Sequence, residues 1–142
     1  MTPPLFHHVA INCLDLDKME SFYCRYFGFQ RARTVPLGGS DKILFLKHGN
    51  VYLELFKATG PSPHAFTEKD GPPWAGMRHL AFQVEDVDAA LAALGTAVKI
   101  NLGPLRFDAF IPGWCAVWVL DPEGNVIELS HGYQDEINPS SQ

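Results

Sequence analysis

The chain has 142 residues, 46% hydrophobic and 19% charged, the profile of one globular domain and not of a disordered segment. Its 16 acidic and 11 basic side chains give a formal net charge of -5, which excludes a phosphate-backbone binder because that function needs a concentrated basic face. No apolar run is long enough to span a bilayer, Met1 to Leu5 lacks the layout of a signal peptide, and no CxxC is present for a thiolate zinc site.

An odd cysteine count without close pairing fits a reducing, cytoplasmic setting. Cys13, Cys24 and Cys115 then read as small buried hydrophobes. Arg25, Arg31 and Arg33 read as a solvated surface, so no nucleic-acid partner is expected.

Taken in chain order, Phe6 to Leu14 alternates β-branched and aromatic residues and predicts a strand. Asp15 or Asp17 caps a helix whose Met19, Phe22, Tyr23, Tyr26 and Phe27 recur at helical spacing, and Gly28 ends it. Strands are expected at Phe29 to Val35, Ile43 to Lys47 and Val51 to Lys57, with Gly49-Asn50 turning between the last two. Residues 58–76 hold Pro61, Pro63, Pro72, Pro73 and three glycines, a linker or a loop over a site. Met77 to Val84 predicts a strand, and Asp86 to Leu94 a helix closed by Gly95. Strands follow near Val98 to Asn101, Phe107 to Ile111 and Trp114 to Leu120. Asp121 to Asn125 then turns into a last strand, Val126 to Ser130.

These elements repeat. His8-Val9-Ala10-Ile11-Asn12-Cys13-Leu14-Asp15-Leu16-Asp17 aligns with His79-Leu80-Ala81-Phe82-Gln83-Val84-Glu85-Asp86-Val87-Asp88, and Gly49 to Leu55 resembles Gly124 to Leu129 with one residue fewer. The chain therefore divides into module one, about 5–57, and module two, about 77–131, with a tail at 132–142. Each is a βαβββ unit too small to bury a good core alone. The expected fold is α+β: one domain over 1–142 in which the two modules pair into a curved mixed sheet.

Strand alternation places Val9, Ile11 and Cys13 against the first helix and His8, Ala10 and Asn12 on the opposite face. In module two Leu80, Phe82 and Val84 face the helix, and His79, Ala81 and Gln83 face away. Glu54 and Glu128 each sit on the last strand of a module among apolar neighbours, where an unpaired carboxylate is costly unless it binds a partner or a metal. A lone strand histidine is ordinarily structural and a lone strand glutamate ordinarily solvated. Here the same His-and-Glu pair occurs at matching places in two copies, and two paired modules would bring His8, Glu54, His79 and Glu128 to one divalent cation. His7 faces away under this register and reads as structural, and His48 reads as exposed. Arg78, Arg106, Trp74, Trp114, Trp118 and Phe107 lie on segments able to line a pocket; nothing in the sequence places His64 or His131.

The repeat, the His-x-Ala start, the SFYCRYFGF helix end and the DPEGNVIEL finish resemble the vicinal oxygen chelate superfamily. Its members include glyoxalase I, methylmalonyl-CoA epimerase, fosfomycin-resistance enzymes, extradiol dioxygenases and bleomycin-binding proteins. The resemblance runs from His8 to about His131. It implies paired βαβββ modules around a metal cleft, usually in a homodimer. It carries His8, Glu54, His79 and Glu128 over as ligands of one divalent ion (Ni, Co, Zn, Mn or Fe), with Glu128 or Glu54 as the catalytic base.

The His/Glu/His/Glu set is closest to bacterial-type glyoxalase I and to epimerases, which tend to carry Gln where this chain has Glu54. The implied activity is a lyase or isomerase working through a metal-stabilised enediolate or enolate on a small carbonyl substrate. The alternatives are an Fe(II) extradiol-type dioxygenase, which uses two His and one Glu, and a non-catalytic binder of a small molecule such as an antibiotic.

Overall fold

In the computed structural model, residues 1–64 and 67–140 are described. The chain forms two compact units, Met1–Ala65 and Phe66–Gln142. Among the described residues no helix is long and apolar enough to cross a membrane.

The first unit runs β1 (His8–Cys13), α1 (Leu16–Phe27), β2 (Gln30–Gly38), β3 (Asp41–His48) and β4 (Val51–Lys57). Asp15 is the N-cap of α1 and accepts the Lys18 N–H at 2.9 Å. Gly28 takes the left-handed conformation at φ 73° that closes the helix, and its N–H donates to the Tyr23 carbonyl. The chain then crosses to the far edge of the sheet and returns strand by strand, giving the order β1-β4-β3-β2 with β1 parallel to β4. Met19, Phe22, Tyr23 and Phe27 of α1 bury one face of the helix, and Cys13, Leu44, Leu46, Leu53 and Leu55 bury one face of the sheet.

The second unit repeats the plan as β5 (Leu80–Gln83), α2 (Val87–Leu94), β6 (Lys99–Arg106), β7 (Cys115–Leu120) and β8 (Val126–His131), in the order β5-β8-β7-β6 with β5 parallel to β8. Asp86 caps α2 by accepting the Ala89 N–H at 2.7 Å. Val87, Val117, Val119, Ile127 and Leu129 form its core. Both βαβββ modules of the expected α+β fold are thus present, each as a four-stranded mixed sheet.

Several expected strand bounds need correction. The strand expected from Met77 to Val84 is shorter, Leu80–Gln83. β2 runs past Val35 to Gly38, because Pro36 lies on an edge strand where its missing N–H costs no ladder bond. β6 extends from Lys99 to Arg106 instead of stopping at Asn101, carrying Gly103 and Pro104 along the other unit's edge. Phe107 to Ile111 is not a strand. The Phe110 and Ile111 N–H groups both donate to the Phe107 carbonyl, and Asp108 accepts the Gly113 N–H at 2.9 Å. A short polar side chain serving the backbone this way favours a turn over a ladder.

Candidate metal centre and its cleft

The strand registers build one His–Glu pair in each module. In the first, Ala10 lies opposite Glu54 and His8 opposite Tyr52, so His8 and Glu54 are diagonal neighbours on the face away from α1. His8 Nε2 stands 3.2 Å from Glu54 Oε1. In the second, Ala81 lies opposite Glu128, and His79, one residue before β5, brings Nε2 to 3.4 Å from Glu128 Oε1. An aromatic residue crosses from the next strand in both cases, Phe45 opposite Glu54 and Trp118 opposite Glu128. The His8 and Phe45 rings meet edge-on at 6.2 Å, and those of His79 and Trp118 at 6.3 Å. The two carboxylates are only 15% and 20% exposed, which makes a charged or hydrogen-bonding partner necessary.

The second nitrogen of each imidazole is also engaged. His7 Nδ1 lies 2.8 Å from His8 Nδ1, and the His7 ring stacks on Tyr52 at 4.7 Å. His7 therefore does not face away as strand alternation suggested; it precedes β1, where the alternation does not yet hold. His79 Nδ1 lies 2.5 Å from the Asp70 carbonyl oxygen. A carbonyl only accepts, so Nδ1 carries the ring hydrogen, and Nε2 of the neutral ring turns a lone pair toward Glu128. Two acceptors facing each other are reconciled by a cation between them or by a second ring proton.

Imidazole nitrogen with carboxylate oxygen is a donor set that suits a borderline divalent ion, and a fixed tautomer at the outer nitrogen is the usual accompaniment. Among the described residues no group of three or more His, Cys, Asp or Glu side chains gathers to hold a metal.

The loop before β5 fixes His79. Asn101 Nδ2 donates to the Thr67 carbonyl at 3.1 Å and to the Lys69 carbonyl at 2.8 Å. Arg78 Nη1 donates to Asp70 Oδ1 at 3.1 Å. Gly71, at φ 136°, lies so close to the Arg78 backbone carbonyl that a Cβ there would overlap it. The segment read from sequence as a linker or loop thus ends in a bracket that presents the Asp70 carbonyl to His79.

Beside Glu128 opens a cleft of about 300 Å³ lined by Ala81, Phe82, Gln83, Trp114, Glu128, Ser130, His131 and Tyr133. Of the residues expected to line a pocket, Trp114 does so. Trp118 and Phe107 instead pack with Leu102 and Leu120 in a core cluster. Arg78 is paired with Asp70, and Arg106 with Asp88 at 3.8 Å. His131 lines the cleft, and its Nδ1 accepts the Val87 N–H at the start of α2. His64 is exposed, its N–H donating to Ser62 Oγ. His48 is exposed, with its ring against Phe29 at 5.2 Å.

Sequence reasoning missed Ser130, Tyr133 and Asp70. Ser130 follows Glu128 by two along β8, so alternation could have found it. Asp70 acts through its carbonyl, which every residue has. Tyr133 donates to Asp135, whose carboxylate pushes the phenol above its usual pKa. Burial pushes the Cys24 and Cys115 thiols up as well, consistent with inert side chains.

Residues 5–129 match the Glyoxalase/Bleomycin resistance protein/Dioxygenase superfamily. An uncharacterized protein of Bacillus subtilis, YwkD, is 34% identical over 125 residues, covering 87% of this chain and 93% of its own. The mitochondrial methylmalonyl-CoA epimerase of Homo sapiens is 35% identical over 91 residues, 62% of this chain and 51% of the epimerase. The crystal structure of a glyoxalase family protein from Enterococcus faecalis superposes with a TM-score of 0.67 at 32% identity, covering 89% of this chain and 96% of that one. With two βαβββ modules of identical strand order and a match over most of its length, the chain belongs to the Glyoxalase/Bleomycin resistance protein/Dioxygenase superfamily.

Proposed function

We propose that the protein is a divalent-metal-dependent lyase or isomerase of the glyoxalase I or epimerase type, acting on a small carbonyl substrate. The observation that carries this reading is the duplicated pair: in each module an imidazole Nε2 faces a carboxylate oxygen, at 3.2 Å and 3.4 Å. The modules pair, within one chain or across a homodimer, so that His8, Glu54, His79 and Glu128 together hold one ion such as Ni, Co, Zn, Mn or Fe. When bound, that ion supplies positive charge against the substrate oxygen that becomes negative as the α-proton leaves.

Glu128 removes that proton. Its carboxylate lines the cleft, and a base must reach its proton before its basicity matters. His79, held by the Asp70 carbonyl, keeps its ring orientation fixed beside the carboxylate. Glu54 serves as a ligand, on the module-one face.

The test is elemental analysis of the purified protein, then NMR of solvent-deuterium exchange at the α-carbon of a panel of α-hydroxy ketones and acyl thioesters, with and without added metal. Metal-dependent exchange that Glu128→Gln slows by about 100-fold or more supports the reading. A protein that binds no divalent ion, or exchanges equally fast with chelator present, refutes it.

A further inference from the structure

We infer that the cleft beside Glu128 takes an uncharged ring bearing hydroxyl or carbonyl oxygens, and rejects substrates whose tail there is a phosphate or carboxylate. This rests on the proposed function only in taking Glu128 as the reactive end of the cleft.

Charge comes first. The eight lining residues include no Lys and no Arg, and the one carboxylate among them is Glu128 itself. The phenol of Tyr133 at the cleft donates to Asp135, which adds a second negative charge beside it. The arginines of the same unit are engaged elsewhere: Arg78 holds Asp70 and Arg106 faces Asp88 on α2. Beyond any ion held at Glu128 itself, an anionic tail entering this cleft would meet no Lys or Arg among the lining residues and would lie near the Asp135 carboxylate, and burying a charge under those conditions is disfavoured.

Shape comes second. Trp114 and Tyr133 stand 5.9 Å apart at 61°, and Trp114 is backed by Phe107 at 4.9 Å, so the indole is a supported wall. Aromatic walls of this kind pack against the face or edge of a ring. Gln83 and Ser130, paired across β5 and β8, offer an amide and a hydroxyl that both donate and accept. His131 spends Nδ1 on the Val87 N–H, so in its neutral form the ring hydrogen is on Nε2. A volume of about 300 Å³ lies at the small end of ligand sites, enough for one ring with its oxygens.

The experiment measures binding by calorimetry, with and without added metal, of two probes that share a head: 2-hydroxy-1-phenylethanone and its analogue with a carboxylate para on the ring. The neutral probe should bind at least tenfold more tightly. Tyr133→Ala, at an exposed position, should weaken the neutral probe about tenfold, and Trp114→Ala should do the same if circular dichroism shows it folded. Gln83→Lys should narrow or reverse the preference.

Equal or tighter binding of the carboxylate analogue by the unaltered protein overturns the inference, as does binding of neither probe. So does neutral binding that stays within twofold in Tyr133→Ala. Preference for the neutral probe without any metal-dependent proton exchange sustains this inference while sinking the catalytic reading. Exchange favouring the carboxylate analogue does the reverse.

Discussion

Gly71→Ala separates the bracket on His79 from the rest of the fold. Gly71 has φ 136°, a region that costs an L-residue about 1–3 kcal/mol. Its new Cβ would also overlap the Arg78 backbone carbonyl and lie 2.7 Å from Arg78 Cγ, so the loop must move away. That movement withdraws the Asp70 carbonyl from His79 Nδ1, a half-buried hydrogen bond worth about 0.5–1.5 kcal/mol. The cost falls on a surface loop that can relax, so urea denaturation should show a loss of about 1–3 kcal/mol and a protein that still folds. The larger effect should be on metal binding: removing the group that orients a ligating imidazole typically weakens affinity about 10- to 100-fold, measured by competition with a chromophoric chelator. Long-range ¹⁵N NMR of the unaltered protein should show the hydrogen of His79 on Nδ1, and the variant should lose that fixed tautomer. A folded variant whose metal affinity stays within threefold, with His79 still held on Nδ1, refutes the bracket.

Glu54→Gln should keep an oxygen ligand but lose its charge, weakening the metal about tenfold in the same titration while slowing α-proton exchange far less than Glu128→Gln does. Asp121, 5% exposed, accepts the Glu123 and Asn125 N–H groups at 2.9 and 3.0 Å and the Asn125 amide at 2.7 Å. Asp121→Ala leaves these donors without their acceptor and should cost about 2–4 kcal/mol in urea unfolding. Asp17 is held below the usual carboxylate pKa by a hydrogen bond from Lys42 and by its charge. A depressed folded-state pKa contributes stability above the unfolded value near 3.8 that is lost as pH falls through the folded value. Lys42→Met should therefore return the Asp17 titration, followed by carboxyl NMR, to the ordinary range and remove its acid-side contribution.

The duplicated pattern carried most of what the amino-acid sequence shows of the site. Side-chain alternation is a local consequence of the extended chain, so the outward face of β1, with His8, could be read directly, and His79, one residue before β5, lies on the side of Glu128 as the repeat implied. The registers then set Ala10 beside Glu54 and Ala81 beside Glu128. The caps Asp15 and Gly28 were legible for the same reason, since their chemistry serves backbone groups a few residues away.

Where contacts depend on distant partners or on the backbone itself, the sequence was silent or misleading. The hydrophobic alternation of Phe107, Ala109 and Ile111 suits a strand, but Asp108 serving the Gly113 N–H makes a turn of it. His7 joins His8 because it precedes the strand whose periodicity would have turned it away. The carbonyl of Asp70 on His79, the Asn101 anchors and the meeting of Trp114 with Tyr133 join residues far apart in the chain through atoms whose identity no residue type announces. The sequence determined the paired His and Glu, because repetition and alternation are properties of the chain. Only tertiary structure decided what orients those side chains and that Glu128 borders a cleft, because both depend on where loops and strand ends come to rest.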